Sequence, residues 1–140
     1  MREGAIAIIE QGGRFLTITR SASVAAPGKV CFPGGGIEPN ETAEQALCRE
    51  CIEELGIAIR PVCLFDIFVT PWNVRLHCYT AEMEPDAVIL PNPDEVATVQ
   101  WLTISEMLAH PDLLESNRSL LEKMQDTAAN CSQLFYFNIM

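Results

Sequence analysis

Residues 42–56 predict a helix, and this helix constrains the fold more than any other feature of the chain. Thr42 and Gln45 have the spacing of a capping box, residues 43–55 contain neither glycine nor proline, and Gly56 supplies a C-terminal stop. On a helical wheel the apolar side chains fill one continuous arc, which comprises Leu47, Cys48, Cys51, Ile52 and Leu55. This arc requires a packing partner, so we expect the helix to lie against a sheet.

Three carboxylates lie on a different side of the same helix. Glu50, Glu53 and Glu54 share their arc only with Ala43 and Ala46, so nothing bulky blocks their approach to a ligand. Each like-charged pair at this spacing costs about 0.2–0.5 kcal/mol in an isolated helix. A bound cation would compensate this repulsion, whereas the alternative is a solvated helix face without a ligand.

A glycine-rich segment precedes the helix. We expect Pro33 and Gly34–Gly36 neither to continue a strand nor to begin a helix, so the backbone should turn tightly there and approach a ligand closely. Mg²⁺ is commonly held by one or two carboxylates together with substrate phosphates. The glycine segment and the carboxylates therefore indicate a site for a divalent cation and an anionic phosphate.

The remaining apolar runs predict strands. The first two should form a hairpin through a turn at Gly12 and Gly13. In the fourth strand alternate side chains should form one dry face, while Arg75, His77 and Tyr79 meet water or ligand. The predicted strands are residues 4–9, 14–19, 61–70, 74–83 and 96–102.

Two further helices complete a single α+β domain over residues 1–140, in which helices flank a sheet. Thr103 and Glu106 have capping-box spacing for a short helix. Asp112 and Glu115 should cap a last helix that ends near Met124. The apolar tail at 126–140 should then pack against the domain or against a second subunit, which would make a homodimer.

Composition limits the classes of function. The formal net charge of −10 argues against non-specific binding to duplex nucleic acid or to an anionic membrane surface. The apolar run between Glu3 and Glu10 is too short for a signal peptide, and no apolar run approaches the roughly 18 residues that span a bilayer, so we expect neither feature. Cys48 and Cys51 form a CxxC, but no second pair follows at zinc-site spacing, so we expect buried, reduced thiols. We expect a cytoplasmic protein that acts on a small molecule.

Residues Gly35 to Ile57 resemble the Nudix box of the Nudix hydrolases. Gly35, Glu41 and the run RECIEELGI fill every polar position of that pattern, and Cys51 replaces the usual aliphatic residue. The resemblance implies an α/β/α sandwich around a mixed sheet. It also implies hydrolysis of a nucleoside diphosphate linked to another moiety, with Mg²⁺ or Mn²⁺ as cofactor. The alternative is a binding module of the same fold that senses a nucleotide without cleaving it.

The resemblance also assigns roles residue by residue. Glu50 would be either a metal ligand or the base that orients the attacking water, and Arg49 would form an ion pair with Glu41 that fixes the helix against the preceding loop. Glu95, just ahead of the last strand, is the candidate for a further carboxylate. The metal ligands would be the Gly34 carbonyl, Glu50, Glu53, Glu54 and Glu95.

Substrate contacts are predicted less specifically. Residues 16–38 also resemble a longer signature of Nudix enzymes that cleave coenzyme A, but the interior arginine of that signature is absent and Glu38 replaces its aspartate. The side chains expected at the wall of the site or on the phosphates are Arg20, Lys29, Phe32, Gly35, Arg75 and Tyr79.

Overall fold

The computed structural model describes residues 1–130 and the side chains of residues 1–127. Its strands are β1 (Arg2–Ile8), β2 (Glu10–Gln11), β3 (Arg14–Arg20), β4 (Val30–Cys31), β5 (Gly34–Gly36), β6 (Ile59–Val69), β7 (Val74–Met83) and β8 (Val96–Leu102). Its helices are α1 (Ala43–Leu55), α2 (Ile104–Leu108) and α3 (Arg118–Asn130), and a 3-10 turn at Glu115–Asn117 precedes α3.

Strand β1 lies at the centre of the fold because its alternating side chains enter two cores. Ala5 and Ala7 pack with the apolar face of α1, whereas Ile6 and Ile8 pack with side chains of α2 and α3. Helix α1 therefore covers one face of the sheet, and α2 and α3 cover the other. The α+β class and the helices flanking a sheet are confirmed.

The strands form two sheets. In the first, with order β5-β1-β7-β6, Ala5 lies opposite His77 of the parallel strand β7 and opposite Gly35 of the antiparallel strand β5. In the second, β3 pairs antiparallel with β2, β4 and β8. The first sheet is therefore mixed, and β6 is an edge strand.

The hairpin predicted for the first two apolar runs is shorter than expected. Gly12 and Gly13 form its turn with positive φ angles of 59° and 81°, but they join β2 to β3 rather than β1 to β3. Residues 4–9 are buried throughout, which suits a central strand covered on both faces. Strand β1 consequently joins the other sheet.

The prediction that Gly34–Gly36 cannot form a strand was wrong, because these residues pair with β1 as β5. Gly34 has a φ of 151°, and a Cβ atom there would collide with the carbonyl oxygen of Ala5. Only glycine allows this approach of the two strands. The glycines thus permit pairing with β1 and place the β5 backbone beside α1.

Helix α1 has the predicted boundaries. The Thr42 hydroxyl accepts from the Gln45 amide at 3.1 Å, the Gln45 side chain accepts from the Thr42 amide at 2.9 Å, and Gly56 ends the helix with a φ of 64°. The prediction that Ile52 lies in the core was wrong, because this residue is 58% exposed. It lies at the margin of the apolar arc, beyond the reach of the sheet.

Strand β7 and the last helix differ from expectation. Tyr79 of β7 packs against the core under α1, so the face predicted to meet water or ligand is partly covered. Asp112 does not cap a helix, because the backbone at 112–114 bonds to Val30 in an extended conformation. Helix α3 therefore begins at Arg118 and runs to Asn130, past the expected end near Met124. The prediction for the tail concerns mainly residues 131–140, which lie outside the described residues.

The five described cysteines are free thiols. Burial raises the pKa of Cys31 to about 11 and of Cys78 to about 12. The Cys51 side chain lies in the core, and the Cys48 thiol donates to the Ile59 carbonyl oxygen at 3.7 Å. Among the helices of the described chain, none is long and apolar enough to cross a membrane.

Candidate active site

The carboxylate of Glu54 is buried against the glycine strand. The side chain points from α1 toward β5, the Gly34 amide donates to its Oε1 at 3.0 Å, and the residue is 6% exposed. Burial raises the pKa of Glu54 to about 8, the Gly34 amide opposes this rise, and the charges of Glu50 and Glu95 add to it. An apo site therefore contains a carboxyl group that resists ionisation.

The Glu50 carboxylate packs on Gly35. A Cβ atom at Gly35 would lie where the Glu50 carboxylate now lies, so only glycine leaves room for it. Arg49 donates through Nη1 to Glu50 Oε1 at 3.0 Å. Burial raises the pKa of Glu50, and the adjacent Arg49 guanidinium opposes this rise. Glycine is thus required both for the strand and for the carboxylate beside it.

Arg49 organises the edge of the site. Its guanidinium donates to both oxygens of Glu41, from Nε at 2.8 Å and from Nη2 at 3.0 Å, and Nη2 also donates to the Gly36 carbonyl oxygen at 2.9 Å. Hydrogen bonds from Arg49 and from the Glu38 amide lower the pKa of Glu41 to about 2. The predicted Arg49–Glu41 ion pair is confirmed, and it connects α1 to β5 and to the loop after it.

Glu53 lies farther out than its two neighbours. Its side chain is 47% exposed and accepts from Arg49 Nη1 at 3.2 Å. The structure thus brings Glu50 and Glu54 against the glycine strand, while Glu53 remains at the solvent edge.

Glu95 reaches the same site from the loop before β8. The loop is fixed to the end of α1, where the amides of Leu90 and Asn92 donate to the carbonyl oxygens of Leu55 and Glu54 at 2.8 and 2.9 Å. On its other side, the Ser21 amide donates to the Glu95 carbonyl oxygen at 3.0 Å. The Glu95 Oε2 atom is buried and has no hydrogen-bond partner among the described residues. A buried carboxylate oxygen without a partner indicates a missing ligand or water.

A cavity of about 690 Å³ opens beside β5. Three of the six predicted contacts, Arg20, Phe32 and Gly35, lie in its wall. The other three lie outside that wall among the described residues: Lys29 on the connection between β3 and β4, Arg75 paired with Glu3 at 3.4 Å, and Tyr79, whose hydroxyl donates to Glu44 at 3.4 Å. The cavity is large enough for a ligand of nucleotide size.

A family model described as the NUDIX domain matches residues 2–124 of this chain. The chain belongs to the Nudix family. A NAD-capped RNA hydrolase, NudC, of Deinococcus radiodurans is 34% identical over 69% of this chain and 35% of its own length. The CTP pyrophosphohydrolase of Escherichia coli is 47% identical over 41% of this chain and 42% of its own length. The solution structure of the Escherichia coli ORF135 protein has a TM-score of 0.74 and 29% identity, and the match covers 93% of this chain and 92% of that one.

These matches confirm the Nudix fold, an α/β/α sandwich with a mixed sheet. The aligned region spans between a third and a half of the length of the two curated relatives. In this Nudix domain the box from Gly35 to Ile57 covers the last two residues of β5, the loop after it and all of α1.

The Nudix site is compatible with a divalent cation. Among residues 1–130, no group of three or more His, Cys, Asp or Glu side chains is placed to enclose a metal ion. Mg²⁺ does not need such an enclosure, because one or two carboxylates with water and substrate phosphates are sufficient. The partnerless Glu95 oxygen and the buried Glu54 carboxylate are hard oxygen donors of the kind that Mg²⁺ and Mn²⁺ prefer.

Asn117, which lies in the wall of the cavity beside β5, was not predicted from the sequence. This residue is 2% exposed, and its Oδ1 accepts from the Phe32 amide at 3.0 Å. It thereby connects the 3-10 turn to the strand that leads into β5. An asparagine immediately before a helix is a usable signal, but the competing cap at Asp112 obscured it.

Proposed function

We propose that this Nudix domain hydrolyses the pyrophosphate bond of a nucleoside diphosphate linked to another moiety, with Mg²⁺ or Mn²⁺ as cofactor. The main support is one observation: the buried Glu54 carboxylate and the partnerless Glu95 oxygen share a site with Glu50, beside a cavity of nucleotide size. Buried carboxylates without cations destabilise a protein. A bound cation would offset the cost of burying these carboxylates and would bind the diphosphate of a substrate.

The proposed roles follow from the contacts. Glu54, with the Gly34 carbonyl and Glu50, would hold the cation, and Glu53 would join from the solvent edge. When bound, the cation would polarise phosphoryl oxygens and lower the pKa of a nearby water molecule. Arg49 keeps Glu50 in place through Nη1 and keeps α1 against β5 through Glu41 and Gly36.

The remaining carboxylate would act on water. Glu95 has an oxygen without a hydrogen-bond partner among the described residues, so it can accept a proton or orient a water molecule. Glu50 is the other candidate for this role, but Arg49 already occupies one of its oxygens. We therefore assign the orientation of the attacking water to Glu95, in place of the metal-ligand role that the resemblance gives it, and we assign Glu50 as a ligand.

The substrate class rests on the cavity and on the relatives. The names of the two curated relatives describe hydrolysis of NAD-capped RNA and of CTP, both of which contain a phosphoanhydride attached to a nucleoside. We extend only this shared chemistry to the present chain. The net charge of −10 supports a small-molecule substrate whose phosphates are neutralised by cations. Five free cysteines among the described residues support a cytoplasmic location.

A panel assay tests the proposal. Nucleoside diphosphate sugars and dinucleotides are incubated with the protein and Mg²⁺ or Mn²⁺, and phosphate is measured after a phosphatase is added. For nucleoside triphosphates, phosphate is measured after an inorganic pyrophosphatase is added instead. We expect metal-dependent release from at least one compound, and a loss of two or more orders of magnitude for Glu54→Gln. Glu44→Gln, on the same helix but exposed, is the matched control. Tight binding of one compound without turnover on the panel would replace hydrolysis with nucleotide sensing.

A further inference from the structure

We propose that the backbone N–H of Gly36 donates a hydrogen bond to a phosphoryl oxygen of the substrate and thereby holds the diphosphate against the edge of β5. This inference rests on the proposed function, because Gly36 lies in the wall of the same cavity. It adds a main-chain donor for the anion to the residues that are proposed to hold the cation.

Strand β5 is an edge strand of the first sheet, and its pairing with β1 fixes the direction of its amides. The Ile37 amide, directly after β5, donates to the Glu3 carbonyl oxygen at 2.9 Å, and Gly35 lies opposite Ala5. Residues that face the partner strand alternate with residues that face away from it in an antiparallel pair. The N–H and the carbonyl group of Gly36 therefore point away from β1.

Two side chains already bond to this outward edge of β5. Glu54 Oε1 accepts from the Gly34 amide at 3.0 Å, and Arg49 Nη2 donates to the Gly36 carbonyl oxygen at 2.9 Å. The Gly36 N–H lies between these two bonds along the strand and has no acceptor among the described residues. An outward N–H on an edge strand is a donor that an anion can use.

The three glycines of β5 differ in what a side chain would meet. A Cβ atom at Gly34 would collide with the Ala5 carbonyl oxygen, and one at Gly35 would collide with the Glu50 carboxylate. At Gly36 no described atom lies within 4 Å of the Cβ position, and its φ angle is not positive. Packing among the described residues therefore does not explain this glycine. A glycine there leaves the N–H open to a ligand that approaches the backbone closely.

The charges around β5 favour a neutral donor for the anion. Arg49 is the only cationic side chain of α1, and its guanidinium already donates to Glu41, Glu50 and the Gly36 carbonyl oxygen. A backbone amide carries no charge, so it does not compete with a divalent cation for these carboxylates. Its hydrogen bond to a charged phosphoryl oxygen is nevertheless stronger than a bond between two neutral groups.

A backbone ester tests the donor. Residue 36 is replaced by lactic acid with a suppressor tRNA in cell-free translation, so that an ester oxygen takes the place of the N–H. Gly36→Ala is the matched control, because it has the same methyl group and keeps the N–H. Calorimetry with Mg²⁺ measures the affinity for α,β-methylene-ADP, a nucleoside diphosphate with a non-cleavable bridge. Electron paramagnetic resonance measures the affinity for Mn²⁺ without nucleotide.

We expect the ester protein to bind α,β-methylene-ADP about tenfold more weakly than Gly36→Ala, or weaker still, because one hydrogen bond to a charged group is lost. The two proteins should bind Mn²⁺ equally without nucleotide, which would also show that the carboxylates remain in place. Equal nucleotide affinities would overturn the inference. An equal loss of Mn²⁺ and nucleotide affinity would also overturn it, because residue 36 would then act through the cation site.

The panel assay on the original chain separates this inference from the proposed function. Turnover by the original chain together with equal nucleotide affinities of the ester protein and Gly36→Ala would retain hydrolysis and remove the Gly36 donor. A tenfold difference in nucleotide affinity without turnover would retain the donor in a protein that senses a nucleotide, and would remove hydrolysis.

Discussion

The buried Glu54 carboxyl should make the apo protein less stable as the pH rises. Its pKa is 4.5 in an ordinary environment and about 8 in the folded protein, so between these values the folded state holds a proton that the unfolded state has lost. A raised folded pKa contributes stability that is complete below the unfolded pKa and is lost as the pH rises through the folded pKa. The window therefore runs from about pH 4.5 to above pH 8.

The magnitude follows from the two pKa values. At about 1.4 kcal/mol per pKa unit, the whole difference corresponds to about 5 kcal/mol, of which about 4 kcal/mol falls between pH 5 and pH 9. The free energy of unfolding of a small domain is about 5–15 kcal/mol, so ionisation of this single group would remove much of the apo stability at alkaline pH. Glu54→Gln cannot ionise, and its side-chain oxygen can still accept from the Gly34 amide.

Urea unfolding in EDTA at pH 5, 7 and 9 measures the effect. We expect the free energy of unfolding of the original chain to fall by about 4 kcal/mol relative to Glu54→Gln over this range, while Glu44→Gln follows the original chain. Mg²⁺ at pH 9 should restore stability to the original chain and not to Glu54→Gln. Parallel pH curves for the original chain and Glu54→Gln would refute the reasoning, because Glu54 would then titrate alike in both states.

Three further substitutions test the surroundings of the site. Gly35→Ala should reduce turnover by about 100-fold or more, because the methyl group displaces the Glu50 carboxylate. The temperature of thermal unfolding should change little. Turnover at the original rate would contradict the close packing of Glu50 on Gly35. Ser21→Ala should lower the free energy of unfolding by about 1 kcal/mol, because it removes the 2.7 Å hydrogen bond from the Ser21 hydroxyl to the Asp94 carbonyl oxygen. It should also lower turnover by displacing Glu95. The control Ser23→Ala should change neither quantity in the same urea and hydrolysis assays. Asn117→Ala should lower the free energy of unfolding in urea by about 1–3 kcal/mol, because the buried Phe32 amide loses its acceptor. Asn117→Asp keeps that acceptor and should retain more stability.

Local signals explain why one half of the site could be predicted from the sequence. Thr42, Gln45 and Gly56 define α1 through hydrogen bonds within a few residues, so the positions of the carboxylates on its surface follow from helical periodicity. The Arg49–Glu41 pair follows from the resemblance and is also close in sequence. These features depend little on the arrangement of the rest of the chain.

The other half depends on contacts between distant residues. The sheet that β1 joins is decided by its partners β5 and β7, and a turn at Gly12 and Gly13 gives no information about those partners. Glu95 is brought to the site by a loop bonded to the end of α1 and to Ser21, 74 positions earlier in the chain. Tyr79 was expected beside the substrate because a strand has two faces, but α1 covers the face on which it lies.

Burial of one carboxylate, rather than repulsion between neighbours, dominates the energetics of the clustered glutamates. Repulsion between neighbours on a helix surface amounts to about 0.2–0.5 kcal/mol per pair, which a chain tolerates without any ligand. Burial of Glu54 against Gly34 corresponds to about 5 kcal/mol at high pH, roughly ten times more, and Gly34 itself is required by the close approach of β5 to β1. The strand geometry, rather than the spacing of charges along the helix, therefore makes this carboxylate energetically unusual. A cation that binds only the folded state would recover this energy on binding, so metal affinity should depend on the β1–β5 pairing as strongly as on the glutamates.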